Sequence, residues 1–258
     1  MIAPASFQPI QHAGQPLLAP LQTSPAPDVG TAVVSIVGAA MLTLLSLRLT
    51  FLAVRTRTSV ARPQAALWEY FGFAGVVGVL YGSFTLLQHW LDVRLDFLNG
   101  LLLAFTVLFA LAMREAYFNT TLANAELDRL GEYRLRRALE IGFVAIVLVI
   151  SVGPLVRRSR IFTVLTAAAG FTVVGYGLYF QFRRSRTPAT RGTLIDTLLR
   201  QTVPVLVFAG GALVAPALAL GVASPTVASA VAAVFVVVTA ASLMTVTIKL
   251  SQHLSSRR

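Results

Sequence analysis

Cysteine is absent from the 258-residue chain. That excludes disulfides, thiolate nucleophiles and cysteine-ligated metals. Charge is scarce: Asp, Glu, Lys and Arg make up 12% of residues, against about 25% in soluble domains. So few charges cannot cover a surface that faces water. Acidic residues are the rarer sign, 10 against 21 Lys and Arg. The histidines are His12, His89 and His253, far apart in sequence. No HExxH metal motif, nucleophile elbow, phosphate-binding glycine loop or catalytic carboxylate pair occurs. The expectation is a non-enzymatic protein without cofactor or metal.

What the chain has instead is oil. It is 56% hydrophobic, with a mean hydropathy of +0.77. About 20 apolar residues carry a helix across the hydrocarbon layer, and seven runs approach or exceed that length. They cover residues 31–54, 67–90, 97–113, 138–156, 161–182, 198–222 and 226–250. Membrane strands would alternate apolar and polar residues in segments of about ten, and these runs do not alternate. The expected fold is therefore all-α: a polytopic integral membrane protein whose seven-helix bundle occupies residues 31–250. Residues 1–30 hold six prolines and no Lys or Arg, the composition of a disordered extracytoplasmic tail. Residues 251–258 form a short cytoplasmic tail.

Orientation follows from cationic residues beside the spans. With the N-terminus outside, the inner connections carry Arg55, Arg57, Arg62, Arg114, Arg129, Arg134, Arg136, Arg137, Arg183, Arg184, Arg186, Arg191, Lys249, Arg257 and Arg258. The outer connections carry Arg94, Arg157, Arg158 and Arg160. Fifteen against four puts the N-terminus outside and the C-terminus inside, although the outer "RRSR" at 157–160 runs against the rule. The formal net charge of +11 is then mostly a loop bias. It matches the anionic inner leaflet of a cell membrane, a prokaryotic plasma membrane above all, at about 1 kcal/mol per cation at most. Nucleic acid is not an expected partner, because the arginines are scattered rather than interleaved with aromatics.

Lys249 is the only lysine, and it sits on the last of seven apolar segments. In length and helix count the chain resembles the microbial rhodopsins, a likeness of architecture without a matching motif. A retinal-bearing lysine would have to lie inside the bundle beside a carboxylate. From Thr226 to Lys249 is 23 residue steps, or ~34 Å of helix, which places Lys249 at the inner interface of a ~30 Å layer. It reads as a snorkelling residue. Trp68 and Trp90 bracket the second segment, where interfacial belts place tryptophan. Asp92 and Asp96 form a DxxxD pair that would hold magnesium only on a helix face. In "LQHWLDVRLD" it falls in a tight hairpin and reads as a solvated turn.

Five further features stand out. Arg48, Glu69, Arg114, Glu115, Glu140, Asp196, Arg200 and Lys249 gather near the inner ends of the segments, as a charged layer that re-pairs in a switch or as interfacial anchors. Tyr81, Ser83, Thr106, Thr172 and Tyr176 are mid-segment groups, able to line a mildly polar pocket or to bond their own helices. Pro204, Gly210, Gly211 and Pro216 make segment six a candidate hinge or a fixed kink. Ala74, Gly78 and Gly82 are spaced for close helix approach. Residues 114–139 read as an amphipathic cytoplasmic loop, the largest surface available to a cytoplasmic protein partner.

The functional expectation is a receptor-like, sensory or accessory module that signals through its cytoplasmic loops. The alternatives are a transporter of a neutral small solute or lipid, and a retinal protein carried by Lys249.

Overall fold

The computed structural model describes residues 29–58, 62–93, 95–121, 129–156, 160–185 and 194–255. Within them lie seven long α-helices: α1 Val29–Arg57, α2 Arg62–Leu91, α3 Leu98–Thr121, α4 Arg129–Val156, α5 Arg160–Ser185, α6 Leu194–Val214 and α7 Pro225–Ser255. All seven are long and apolar enough to cross a membrane. Large apolar side chains remain exposed along them, such as Leu44, Phe51, Phe73, Ile141, Leu148 and Phe171. In water such continuous apolar surface would drive association.

The helix boundaries follow from local chemistry. Pro63 stands in the first turn of α2 and Pro225 opens α7, positions where the missing N–H costs nothing. Ser224 caps α7: its hydroxyl accepts from the Val227 amide at 3.3 Å, and its carbonyl from the Ala228 amide at 3.0 Å. Segment six is not one continuous α-helix. It leaves α geometry after Val214 and continues as a 3₁₀ turn, Ala215–Leu220, with Pro216 at its start. Proline cannot donate to the carbonyl one turn earlier, and its ring crowds that carbonyl, so the α ladder stops here. The 114–139 stretch is largely taken up by the two helices beside it, α3 running on to Thr121 and α4 beginning at Arg129.

Six helices close a ring in the order α1, α2, α3, α5, α6, α7 and back to α1, while α4 packs outside it against α3 and α5. Covered on several sides, α3 has 72% of its apolar stretch buried, whereas α4 has 11%. The core runs along α3 and its neighbours, with Phe105 against Phe109, Phe109 against Phe71 of α2, and Phe71 against Trp68. Trp68 is only 3% exposed, which corrects its expected place in an interfacial belt. Trp68 turns into the ring and packs beside Phe71, the two rings tilted and their centroids 5.9 Å apart. Trp90, 89% exposed, suits the belt.

The α1–α2 seam depends on missing side chains. A Cβ on Gly78 would lie 2.9 Å from Ser46 Cβ and 3.0 Å from Phe105 Cε2, and Gly75 and Gly82 are pressed in the same way against Thr50 and Thr43. The seam follows Gly75, Gly78 and Gly82, close to the small-residue row expected, with Ala74 fully buried beside it.

Candidate functional site

One end of the bundle gathers the starts of α2, α4 and α6 with the ends of α1, α3, α5 and α7, and most of the charge lies there. The structure divides the expected charged layer into separate pairs. Arg57 and Glu69 meet at 2.7 Å, both well exposed; such a pair contributes at most about 1 kcal/mol. Asp196 and Arg200 meet at 3.1 Å within one turn of α6, with Asp196 buried. Arg48 and Lys249 are exposed on α1 and α7, and neither joins an ion pair among the described residues. Lys249 therefore points out of the ring, which does not suit a chromophore attachment.

The third pair is different. Arg114 of α3 is 1% exposed, and its Nη2 donates to Glu140 Oε1 of α4 at 2.5 Å. The Tyr70 hydroxyl of α2 donates to the same oxygen at 3.2 Å. The Tyr176 hydroxyl of α5 lies against the guanidinium. Phe143, one turn along α4 from Glu140, packs edge-on against Tyr176 with centroids 5.2 Å apart. Side chains of four helices thus meet around one ion pair. Glu115, its sequence neighbour, is also buried. Arg114 lies four residues before Phe118, where the apolar span ends, so it stands ~6 Å from that end. Burying a guanidinium is costly unless it is paired, and Glu140 supplies the pairing. Nε and Nη1 of Arg114 have no well-formed hydrogen bond.

Of the mid-segment polar groups, only Tyr176 joins this cluster. Thr106 is fully buried but donates to Leu102 O at 2.7 Å, and Thr172, exposed, donates to Ala168 O at 2.8 Å. Ser83 is exposed on α2 and Tyr81 is half-buried against the core. These residues do not converge on one pocket, because the threonine hydroxyls satisfy themselves within their own helices. Gly210 and Gly211 are packing notches: a Cβ on Gly210 would strike Val174 of α5, and one on Gly211 would lie 3.2 Å from Phe235 of α7. Pro204 lies inside α6, and Pro216 marks its transition to the 3₁₀ turn.

Asp92 and Asp96 do not share a helix face. Helix α2 ends at Leu91, and Asp92 takes a left-handed conformation (φ 51°) that turns the chain toward α3. The Gln88 side chain ties this turn, accepting from the Leu95 amide at 3.2 Å. Among the described residues no three His, Asp or Glu side chains come together as a metal site.

Tyr70 and Arg57 are the members of these pairs that the sequence reading left out of the layer. The cue for Arg57 was its charge two residues past Arg55 at the end of a span. Tyr70 offered none, since its role depends on which way α2 is turned.

Fold and site together define the class: an all-helical chain with seven apolar, span-length helices, as in multi-pass membrane proteins, with one buried arginine clasp where four helices meet. No family model matches the chain, and no curated protein or solved structure matches it.

Proposed function

We propose that the protein is a non-enzymatic sensory or accessory module of a cell membrane, with its N-terminus outside and its C-terminus and arginine-rich end inside. The arginine count beside the spans supports this orientation. A prokaryotic plasma membrane is the setting we favour, and its anionic inner leaflet suits the net charge of +11.

One observation carries the reading. Helix α4 stands outside the ring with 11% of its apolar stretch buried, and the Arg114–Glu140 pair joins it to the bundle. A thinly packed element moves at low cost, and re-pairing of charges is a common way to switch such an element. The segment 114–139 leads directly out of α3 and into α4, so a shift of α4 is passed to the side where a cytoplasmic partner would read it. Cross-linking in cells tests this. A cytoplasmic protein captured by the intact chain is lost when Ala123–Arg134 is deleted, and its yield changes in Glu140→Gln. An unchanged capture profile in both variants contradicts the proposal.

A second reading, movement of a lipid-like cargo, draws on the apolar groove between α4 and α5. Flux of a labelled lipid into proteoliposomes would favour it over signalling.

A further inference from the structure

Between α4 and α5 lies a cavity of about 340 Å³, open to one side and lined almost wholly by apolar atoms. Phe143, Ile146 and Ile150 of α4 face Leu165, Thr172 and Val173 of α5 across it. Thr172 spends its hydroxyl on its own helix, so nothing polar is offered within. The groove is closed at one end where Gly153 meets Phe162, and narrowed at the other where Phe143 meets Tyr176.

Two glycines leave open space beside that narrowing. Gly142 and Gly175 stand beside it, one on each helix, and a Cβ on either would meet no atom within 4 Å. Glycine weakens a helix interior, and no neighbour requires it at these two positions, in contrast to the glycines of the α1–α2 seam. On α5 the row Ala168, Thr172, Gly175, Tyr179 and Arg183 follows helical spacing along one face. Tyr179 and Arg183 are exposed, and the guanidinium lies 5.4 Å from the tyrosine ring centre. From Thr172 to Arg183 is 11 residue steps, ~16 Å along the helix, which is about half the ~30 Å hydrocarbon layer.

We infer that the α4–α5 groove binds one acyl chain of an anionic glycerophospholipid, whose phosphate is held at Arg183. The apolar walls take the chain, the glycine notch lets it pass Phe143 and Tyr176, and the exposed cation lies one leaflet-depth away, where a phosphate would stand. The inference names a ligand for the proposed sensing element. It rests on that proposal only for the placement of the chain in a bilayer.

The test uses the full chain in nanodiscs doped with phosphatidylglycerol bearing a diazirine in its acyl chain. Adducts are mapped by mass spectrometry. Labelling is expected to concentrate on residues 143–150 and 165–173, well above that of the exposed α1 surface at Leu44, Leu47 and Phe51. Gly142→Leu with Gly175→Leu fills open space, so the fold is retained and most of the groove labelling is lost; the series Gly175→Ala, Gly175→Val and Gly175→Leu grades the loss. Arg183→Gln lowers labelling by the anionic probe about fivefold, and leaves labelling by the matching phosphatidylcholine probe unchanged. Equal labelling of α1 and the groove, or groove labelling that survives the leucine pair, overturns the inference. A loss of both probes in Arg183→Gln overturns the headgroup assignment. The partner-capture experiment is independent of all these outcomes, so failure here and failure of the signalling proposal are told apart.

Discussion

Glu140→Gln should destabilise the bundle out of proportion to the size of the change. The amide keeps the shape of the carboxylate and can still accept from Tyr70. It removes the one negative charge bonded to Arg114 among the described residues, where the arginine side chain is 1% exposed. Breaking a fully buried pair costs about 3–5 kcal/mol, because the surviving charge is left without a partner. The Glu140 side chain is 36% exposed, so water screens part of the interaction, and the expected loss is about 1–3 kcal/mol. At about 2–4 °C per kcal/mol for a chain of this length, thermal unfolding in detergent, followed by circular dichroism, should fall by about 2–12 °C. The double variant Arg114→Met with Glu140→Leu removes both charges and should recover most of the loss, since apolar replacement of a buried pair is often neutral. The cycle of Arg114→Met, Glu140→Leu and their double variant isolates the coupling. If Glu140→Gln melts with the parent, or the double variant loses the sum of the two singles, Arg114 and Glu140 are not the coupled buried pair described.

Three other outcomes follow from the same geometry. Gly78→Leu forces a side chain between Ser46 and Phe105, and should cost about 1–3 kcal/mol, seen as a lower melting temperature and a smaller monodisperse fraction. Glu69→Ala breaks only the exposed Arg57 pair and should shift stability by less than about 1 kcal/mol, measured in the same melts. Lys249→Ala should leave folding unchanged, and retinal added to the parent protein should give no visible band that this variant removes.

The seven helices were legible because length and hydropathy are read along the chain, and crossing a bilayer needs little else. Each expected run lies within a helix or departs from it only at an end. Segment six departs most, leaving α geometry after Val214, just before Pro216. Azimuth was not legible. A helix that is apolar around its whole circumference shows no stripe that says which face turns inward. That is why Trp68 passed for an interfacial residue although it packs beside Phe71. It is also why the partner of Arg114 could not be chosen between Glu115, its neighbour, and Glu140, 26 residues away. Arg48 drew attention by its depth in α1, yet it faces outward. The outlying position of α4 was equally hidden. Its span-length stretch is as apolar as those of the ring helices, and only packing tells them apart.

The absence of native cysteine allows a direct test of the central claim, that all seven helices cross a membrane with the arginine-rich end inside. Single cysteines placed by Ser24→Cys, Ala125→Cys, Ser159→Cys and Ser256→Cys are exposed to a membrane-impermeant maleimide on intact cells. The account predicts labelling of Ser24→Cys and Ser159→Cys at once, and of Ala125→Cys and Ser256→Cys only after permeabilisation. Labelling of Ala125→Cys on intact cells, or protection of Ser159→Cys while Ser24→Cys reacts, would contradict it.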